Sequence, residues 1–171
     1  MPRTVPPALP NDTVWFGGEP SRATLCLRVW GDSLDPEDVT RLLGRPPTRS
    51  QRKRDPVVSG SRETKRLART GSWLLDQPVS SGLTIEEAIE AFLGGMPSEE
   101  QIWAALGSRY RVDLICEVFV RGVNQGFELS PRVLQLLGRR AINLAVDTFC
   151  EPDAKQQEAL HERVGTRKSE G

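Results

Sequence analysis

Alternating apolar and polar residues predict four β-strands in this chain. Residues 23–30 alternate aliphatic side chains with mainly polar ones, as expected for a strand with one face buried. The same alternation recurs at 110–121 and at 141–149. A short apolar run at 72–75 predicts the remaining strand. Each half of the chain therefore contributes two strands.

A helix with the same opening and closing residues follows the first strand of each half. Residues 34–44 and 129–138 begin with Leu-Asp-Pro or Leu-Ser-Pro and end with Leu-Leu-Gly. Asp35 and Ser130 suit the N-cap because their side-chain oxygens can accept a backbone N–H of the first turn. Proline costs nothing at the first helical position, and the closing glycine suits a left-handed C-cap. The repeated phrase predicts two β-α-β halves.

Between the two halves, residues 84–106 have the apolar spacing of two consecutive helices. Thr84 and Glu87 form a capping-box pattern at the start of the first helix. The sequence Gly-Gly-Met-Pro at 94–97 ends that helix, and a shorter helix follows. These residues predict a helical hairpin inserted between the halves.

The predicted fold is α+β: a ferredoxin-like, four-stranded antiparallel sheet from two β-α-β halves, with the helical hairpin between them. In this topology the first strand of each half lies at the centre of the sheet. The alternative is another α+β sheet, with the 72–75 strand displaced or with an extra strand near the N-terminus. We expect a flexible leader over 1–20, one domain over 21–150 and a polar tail over 151–171.

Several short motifs occur in a fixed order along the chain. They are Leu34, Pro36, Leu43-Gly44, Pro47-Thr48, Gly71-Ser72-Trp73 and Gly126-Phe127-Glu128-Leu129-Ser130. In these residues the chain resembles a mostly bacterial family, domain of unknown function 4279, over residues 23–150. Two positions depart from the family pattern: Arg52-Lys53-Arg54 replaces a Lys-Gly, and Phe149 replaces an aromatic hydroxyl. The resemblance supports the fold and implies no activity, cofactor or catalytic residue.

Positive charge is concentrated in residues 45–69, which we call the basic segment. It contains nine basic residues and two acidic ones, a net charge of +7. The whole chain has 23 basic and 23 acidic residues, so the remainder carries −7. A polarised charge distribution of this kind favours binding to phosphates or to an acidic protein surface. The candidate binding residues here are Arg49, Arg52, Lys53, Arg54, Lys65, Arg66 and Arg69.

Three interpretations of the basic segment stay open. The first is a solvated loop that the chain itself partly neutralises, for which the 84–106 insert offers five glutamates. The second is binding to an acidic protein, and the third is binding to nucleic acid. No aromatic residue lies between 45 and 69 to stack a base, and no helix-turn-helix or zinc-finger consensus accompanies the segment. These observations favour the solvated loop over nucleic-acid binding.

The sheet face without helices is the second candidate site. Strand alternation places on this face Arg28, Trp30, Asp113, Glu117, Phe119 and Asp147. We expect Arg28 to lie close to Glu117 on the neighbouring central strand. A cluster of Asp113, Glu117 and Asp147 would raise a carboxylate pKa far enough for acid–base catalysis. Cross-strand ion pairing that only makes this face soluble is the simpler interpretation.

Cysteine and histidine usage argues against several classes of enzyme. The three cysteines, Cys26, Cys116 and Cys150, lack the short paired spacing of zinc ligands and are predicted to be reduced thiols in the core. His161 is the single histidine and lies in the polar tail, so it suits neither a catalytic triad nor a two-histidine metal site. We predict no catalytic residue, no metal and no cofactor.

These patterns favour a non-catalytic binding module that engages a protein partner or itself. The alternatives are a nucleic-acid-associated module acting through the basic segment and an enzyme acting through the acidic residues of the open face. No apolar run has the length of a membrane span, and the N-terminal residues do not have the pattern of a signal peptide. The expected location is therefore the cytoplasm.

Overall fold

The computed structural model describes residues 20–59, 62–121 and 125–151. The leader and tail predicted over 1–20 and 151–171, with His161, lie almost entirely outside these residues. In chain order the elements are β1 Arg22–Gly31, α1 Pro36–Leu43, β2 Arg49–Gln51, β3 Pro56–Ser59, β4 Arg62–Leu67, β5 Gly71–Pro78, α2 Ile85–Gly94, α3 Glu100–Gly107, β6 Arg111–Val120, α4 Pro131–Arg139 and β7 Asn143–Cys150. Among the described residues, no helix is long and apolar enough to cross a membrane.

The main sheet has five strands in the order β2-β5-β1-β6-β7, and β3 pairs with β4 in a separate hairpin. β1 and β6, the first strands of the two predicted halves, lie side by side and antiparallel near its centre. β5 is antiparallel to both β1 and β2, whereas β7 runs parallel to β6. The α+β class and the central position of β1 and β6 agree with the sequence prediction.

The ferredoxin-like arrangement is not confirmed, because it requires four strands that are all antiparallel to their neighbours. β2 is the strand that returns parallel to β1 after α1, and β5 then inserts between them. In the second half nothing inserts, so β7 pairs directly with β6 in parallel. Between α1 and β5 the chain also forms β2 and the β3–β4 hairpin, which the sequence pattern did not predict.

The hydrophobic core lies between one face of the sheet and the helices. Alternate residues of β1 and β6 enter it, as do Trp73 of β5, Phe92 of α2 and Trp103 of α3. All three aromatic side chains are essentially inaccessible to solvent. Burial of this apolar area, at about 25 cal/mol per Å², is the main stabilising contribution. In the part of the chain that the structure describes, no helix covers the opposite face of the sheet.

Helix capping follows the sequence prediction in two helices and departs from it in the third. Asp35 accepts the Glu37 N–H at α1, and Gly44 closes that helix with φ 67°. Thr84 forms the predicted capping box at α2. Ser130, however, makes no side-chain cap bond at α4, and the helix continues through Gly138 to Arg139. The prediction of Gly138 as a C-cap is therefore wrong.

Candidate functional site

Asp113 is the centre of a hydrogen-bond network on the open face of the sheet. Its side chain is 2% exposed. Oδ2 accepts hydrogen bonds from Arg28 Nη2 and Trp30 Nε1, both at 2.9 Å. Oδ1 accepts from Arg111 Nε at 2.9 Å and from Asn143 Nδ2 at 3.3 Å. Four donors on β1, β6 and β7 thus converge on one carboxylate.

This network keeps Asp113 ionised. Burial alone raises the pKa of a carboxyl group, but hydrogen bonds from Arg111, Trp30 and Arg28 outweigh burial and lower the pKa of Asp113 to about 2. The acid–base hypothesis required the opposite shift. The unfavourable like-charge cluster is absent around Asp113, because its described neighbours are two arginines and two neutral donors.

Trp30 contacts both arginines of the network. The Cζ atoms of Arg28 and Arg111 lie 5.4 and 5.6 Å from the centroid of its ring. Such cation–π contacts contribute about 0.5–1 kcal/mol at exposed sites. The indole N–H is bound to Asp113 at the same time. The position of Trp30 is therefore fixed through its ring and through its nitrogen.

The register of the central strands corrects the predicted partner of Arg28. Arg28 lies opposite Asp113, whereas Glu117 lies opposite Thr24. On its other side Glu117 is aligned with Asp147 of β7. Glu117 and Asp147 form no ion pair with described residues. Arg28 and Asp113 therefore form one cluster, and Glu117 and Asp147 lie further along the face.

Phe119 lies at the far end of the open face in an aromatic pair. Its ring stacks on that of Phe149, with centroids 5.1 Å apart and an interplanar angle of 19°. The guanidinium of Arg22 lies 3.7 Å above the Phe119 ring. Phe149 is 45% exposed. The predicted site residues of the open face are thus divided between a polar cluster at one end and an aromatic pair at the other.

Much of the basic segment is neutralised within the chain. Arg49 forms an ion pair with Asp76 at 3.1 Å, and Arg52 contacts the carboxylates of Asp35 and Glu37 at 2.7 and 3.1 Å. Lys53 forms an ion pair with Asp32. The acidic partners come from β5, the start of α1 and the turn before it, and not from the helical insert.

The glutamates of the insert have other partners. Glu90 pairs with Arg132 of α4 at 2.6 Å, and Glu86 accepts the Ser130 N–H at 2.5 Å. These contacts join α2 to α4 on the helical side of the sheet. The described ion pairs therefore show that the chain partly neutralises the basic segment, but with carboxylates other than those of the insert.

Three predicted residues of the basic segment have exposed side chains that form no ion pair with described residues: Arg54, Arg66 and Arg69. The side chain of Lys65 lies outside the described part of the structure. Arg54 has a positive φ of 74°, and its backbone N–H donates to Ala68 O beside the hairpin. These three cations face solvent in and beside the β3–β4 hairpin.

A groove of about 670 Å³ connects the two predicted sites. Arg28 and Trp30 of β1 line it on one side, and Pro56 and Val57 of β3 line it on the other. Arg49 of β2 contributes a second guanidinium. The basic segment thus folds over the edge of the open face, and the two candidate sites share one concave surface.

Sequence analysis missed the neutral residues of this groove. They are Ser50, Gln51, Thr70, Ser72 and Leu74. They bring hydroxyl and amide groups beside the two arginines, and Leu74 gives the groove an apolar floor. Alternation within the 72–75 strand was a usable signal for Ser72 and Leu74, whereas β2 is too short to show a period.

The two buried cysteines, Cys26 and Cys116, do not form a reactive site. Burial, with a smaller contribution from the neighbouring Asp76, raises the pKa of Cys26 to about 12, and burial raises that of Cys116 to about 11. Cys150 is exposed, which corrects its predicted place in the core. Among the described residues, no three His, Cys, Asp or Glu side chains are arranged to hold a metal ion.

Comparison with known proteins identifies the family. The family model described as Domain of unknown function (DUF4279) matches residues 21–151, which is most of the chain. This protein therefore belongs to the DUF4279 family, and the resemblance found in its motifs is confirmed. No curated protein and no solved structure matches the chain.

Proposed function

We propose that this protein is a non-catalytic binding module that takes up an acidic segment of a partner protein in the groove beside Trp30. The observation that carries the proposal is the pair of guanidinium groups, Arg28 and Arg49, on a concave surface with an aromatic ring. Guanidinium forks bind carboxylates in a bidentate manner, and arginine and tryptophan are enriched where binding energy is concentrated.

Preorganisation of the groove supports this proposal. Asp113 holds Arg28 and Trp30, and Asp76 holds Arg49, before any ligand arrives. A fixed side chain loses less rotamer entropy on binding, which saves about 0.5–1.5 kcal/mol per residue. Arg28 donates from Nη2 to Asp113, while its Nε has no partner among the described residues. That Nε is buried, so the donors that a ligand can reach belong to the exposed 36% of the Arg28 side chain.

The groove is large enough to take up side chains of a peptide, and its charged lining consists of Arg28, Arg49 and one carboxylate, Asp55. Its volume of about 670 Å³ lies within the range of about 300–1,000 Å³ that ligand sites occupy. The exposed cations Arg54, Arg66 and Arg69 extend the positive surface beyond it, and complementary charge speeds association with an acidic partner. A non-catalytic role is supported by Asp113, because a carboxylate with a pKa of about 2 is a weak general base at neutral pH.

The test uses a synthetic glutamate-rich peptide and isothermal titration calorimetry at about 50 and 200 mM salt. We expect saturable binding at the lower salt, weakened at least tenfold by Arg49→Gln and by Arg28→Gln. Arg41→Gln is the matched control, because Arg41 is also exposed and ion-paired but lies on α1. Absence of binding at low salt, or an equal loss in the control, rejects the proposal.

Duplex DNA in the same titration separates the nucleic-acid alternative. Tighter binding of DNA than of the peptide, abolished by Arg54→Gln with Arg66→Gln, would replace the acidic-protein proposal with a phosphate-binding one. Retained peptide binding without DNA binding supports the protein partner. The salt dependence gives the number of charges involved, because each phosphate contact adds about 0.9 to the slope of log K against log salt.

Self-association is a second candidate function, favoured by one observation. β7 forms the edge of the main sheet and is exposed along nearly its whole length, with Val146 and Phe149 each 45% exposed. An exposed edge strand with apolar side chains is a template for pairing with another strand. The occupant we propose for it is β7 of a second copy of this chain.

We further propose a bacterial cytoplasm as the location. The resemblance to a mostly bacterial family supports the first part of this statement. The reducing compartment is supported by the thiols Cys26, Cys116 and Cys150, all of which are free.

A further inference from the structure

Arg140 is a buried cation on the helical side of the molecule, remote from the groove. It follows α4 directly and is 7% exposed. Its guanidinium donates two hydrogen bonds, from Nη1 to Leu136 O at 3.4 Å and from Nη2 to Pro97 O at 3.5 Å. Nε is buried without a partner among the described residues. Both bonds are at the outer limit of hydrogen-bond length, so most of the five N–H groups are poorly satisfied.

No carboxylate of the described residues lies within ion-pair distance of Arg140. Burial lowers the pKa of this guanidinium, and Glu100 opposes that effect only through its more distant charge. Arginine nevertheless stays protonated in proteins. A buried, charged group is costly unless a counter-ion accompanies it. The Trp103 ring, 5.6 Å from Cζ, compensates for only part of that cost.

Arg140 lines a cleft of about 490 Å³ between α4 and the insert. The cleft also contains Arg132 and Arg139, together with Glu90 and Glu100. Glu90 pairs with Arg132 at 2.6 Å, and Glu100 lies 3.9 Å from Arg139. The two glutamates therefore balance two of the three arginines, and Arg140 is left with one uncompensated positive charge. Ser98 and Gln135 add neutral donors to the wall.

We propose that this cleft is a binding site for a carboxylate group, with Arg140 as its principal ligand. A carboxylate is planar, matches the guanidinium fork and carries the single negative charge that the cleft requires. A phosphate dianion has one charge too many beside Glu90 and Glu100. The site lies among the helices, whereas the proposed peptide groove lies on the opposite face of the sheet. Failure of either site therefore leaves the other untouched.

Thermal unfolding of the full chain in sodium acetate and in sodium chloride, at equal sodium concentration, tests this site. Acetate that binds the folded state raises the melting temperature with a saturating dependence on concentration. We expect this rise in the wild type and in Arg41→Gln, the exposed-arginine control, and its loss in Arg140→Met. In chloride alone, Arg140→Met should melt no lower than the wild type, because it removes an uncompensated buried charge.

A purely structural role gives a different result. If Arg140 only ties Leu136 O to Pro97 O, Arg140→Met lowers the melting temperature equally in both salts, and the proposal is rejected. A larger rise in phosphate than in acetate also rejects the carboxylate assignment. A tripeptide with a free C-terminus and its amidated form identify the source: stabilisation by the free form alone supports a chain terminus, and stabilisation by acetate but neither peptide supports a small free acid.

Discussion

At the scale of single residues, the Asp113 carboxylate determines how the polar side chains of the open face are arranged. A carboxylate at this position, in the middle strand of β1, β6 and β7, is reached by donors from all three. Its burial is favourable only because the donors compensate for lost hydration. The same donors are thereby held in fixed positions, so stability and preorganisation of the groove have one physical cause.

We predict that Asp113→Asn destabilises the protein and that the loss depends on pH. The pKa of Asp113 is lower in the folded chain, about 2 against 3.8, so ionisation stabilises the fold above pH 4. That contribution, about 2 kcal/mol by linkage, disappears as the pH falls from about 4 to 2. Urea unfolding at pH 6 should show a loss of about 2 kcal/mol or more, and the difference from wild type should shrink towards pH 2.

Asp147→Asn is the control for this prediction, because it removes a carboxylate from the same face that has no ion pair among the described residues. It should change the unfolding free energy by less than about 0.5 kcal/mol. A pH-independent loss in Asp113→Asn would show that the network contributes packing and not charge.

The sequence could place these side chains on a face but could not pair them. Strand alternation assigns Arg28, Trp30 and Asp113 to the face away from the core, as observed. The choice between Asp113 and Glu117 as partner of Arg28 depends on register, and a shift by an even number of residues leaves both faces unchanged. Hydrophobic patterning therefore carries no information on that choice.

At the scale of elements, local capping signals are realised only where the surroundings permit. The capping box of α2 is complete: the Thr84 N–H donates to Glu87 Oε2 at 2.9 Å, and the Glu87 N–H donates to Thr84 Oγ1 at 3.2 Å. At α4 the Glu86 carboxylate accepts the Ser130 N–H instead, while Ser130 Oγ is buried without a described partner. Two sequences that both suit N-capping thus give a formed cap at α2 and none at α4.

This difference predicts unequal effects of alanine at the two N-caps. Thr84→Ala removes a formed cap and should lower the unfolding free energy by about 1 kcal/mol. Ser130→Ala removes a hydroxyl without a described hydrogen bond and should be neutral or slightly stabilising. Urea unfolding measures both, and an equal loss in the two variants would contradict this account of α4.

The β3–β4 hairpin and β2 could not be predicted from the sequence. Residues 49–67 are dominated by charged and small side chains, so they show no apolar period. β2 has three residues and β3 has four, and backbone pairing to β5 and β4 holds them in place. Long, periodic strands such as β1 and β6 were predictable because their side chains build the core. The groove could not be predicted from the sequence, because the hairpin forms one of its walls.

At the scale of the whole molecule, the charge asymmetry of the sequence is partly resolved by folding. Ion pairs from Arg49, Arg52 and Lys53 to nearby carboxylates join the basic segment to α1 and β5. Surface pairs of this kind contribute about 0–1 kcal/mol each, so they orient the segment more than they stabilise it. Arg54, Arg66 and Arg69, in and beside the β3–β4 hairpin, remain exposed without an ion pair to a described residue.

The β7 edge gives the molecule a surface suited to a two-fold dimer. The Glu151 N–H donates to Val120 O at 2.8 Å, so alternate residues, among them Leu144 and Val146, direct their backbone groups outward. Antiparallel pairing centred on Ala145 would set Leu144 of one copy opposite Val146 of the other. It would also set Asn143 opposite Asp147. The strand is therefore complementary to itself in this register, as a two-fold interface requires.

We predict that the protein forms a concentration-dependent dimer that Val146→Lys dissociates. A lysine at this edge position opposes strand pairing through its charge, which recurs at the two-fold axis. Leu67→Lys is the control, because Leu67 is 55% exposed on β4, in the hairpin that is separate from the main sheet. Sedimentation velocity from micromolar to millimolar protein measures the outcome. A monomer throughout this range, or a dimer that survives Val146→Lys, would exclude this interface, whereas dissociation by Val146→Lys alone would assign it to β7.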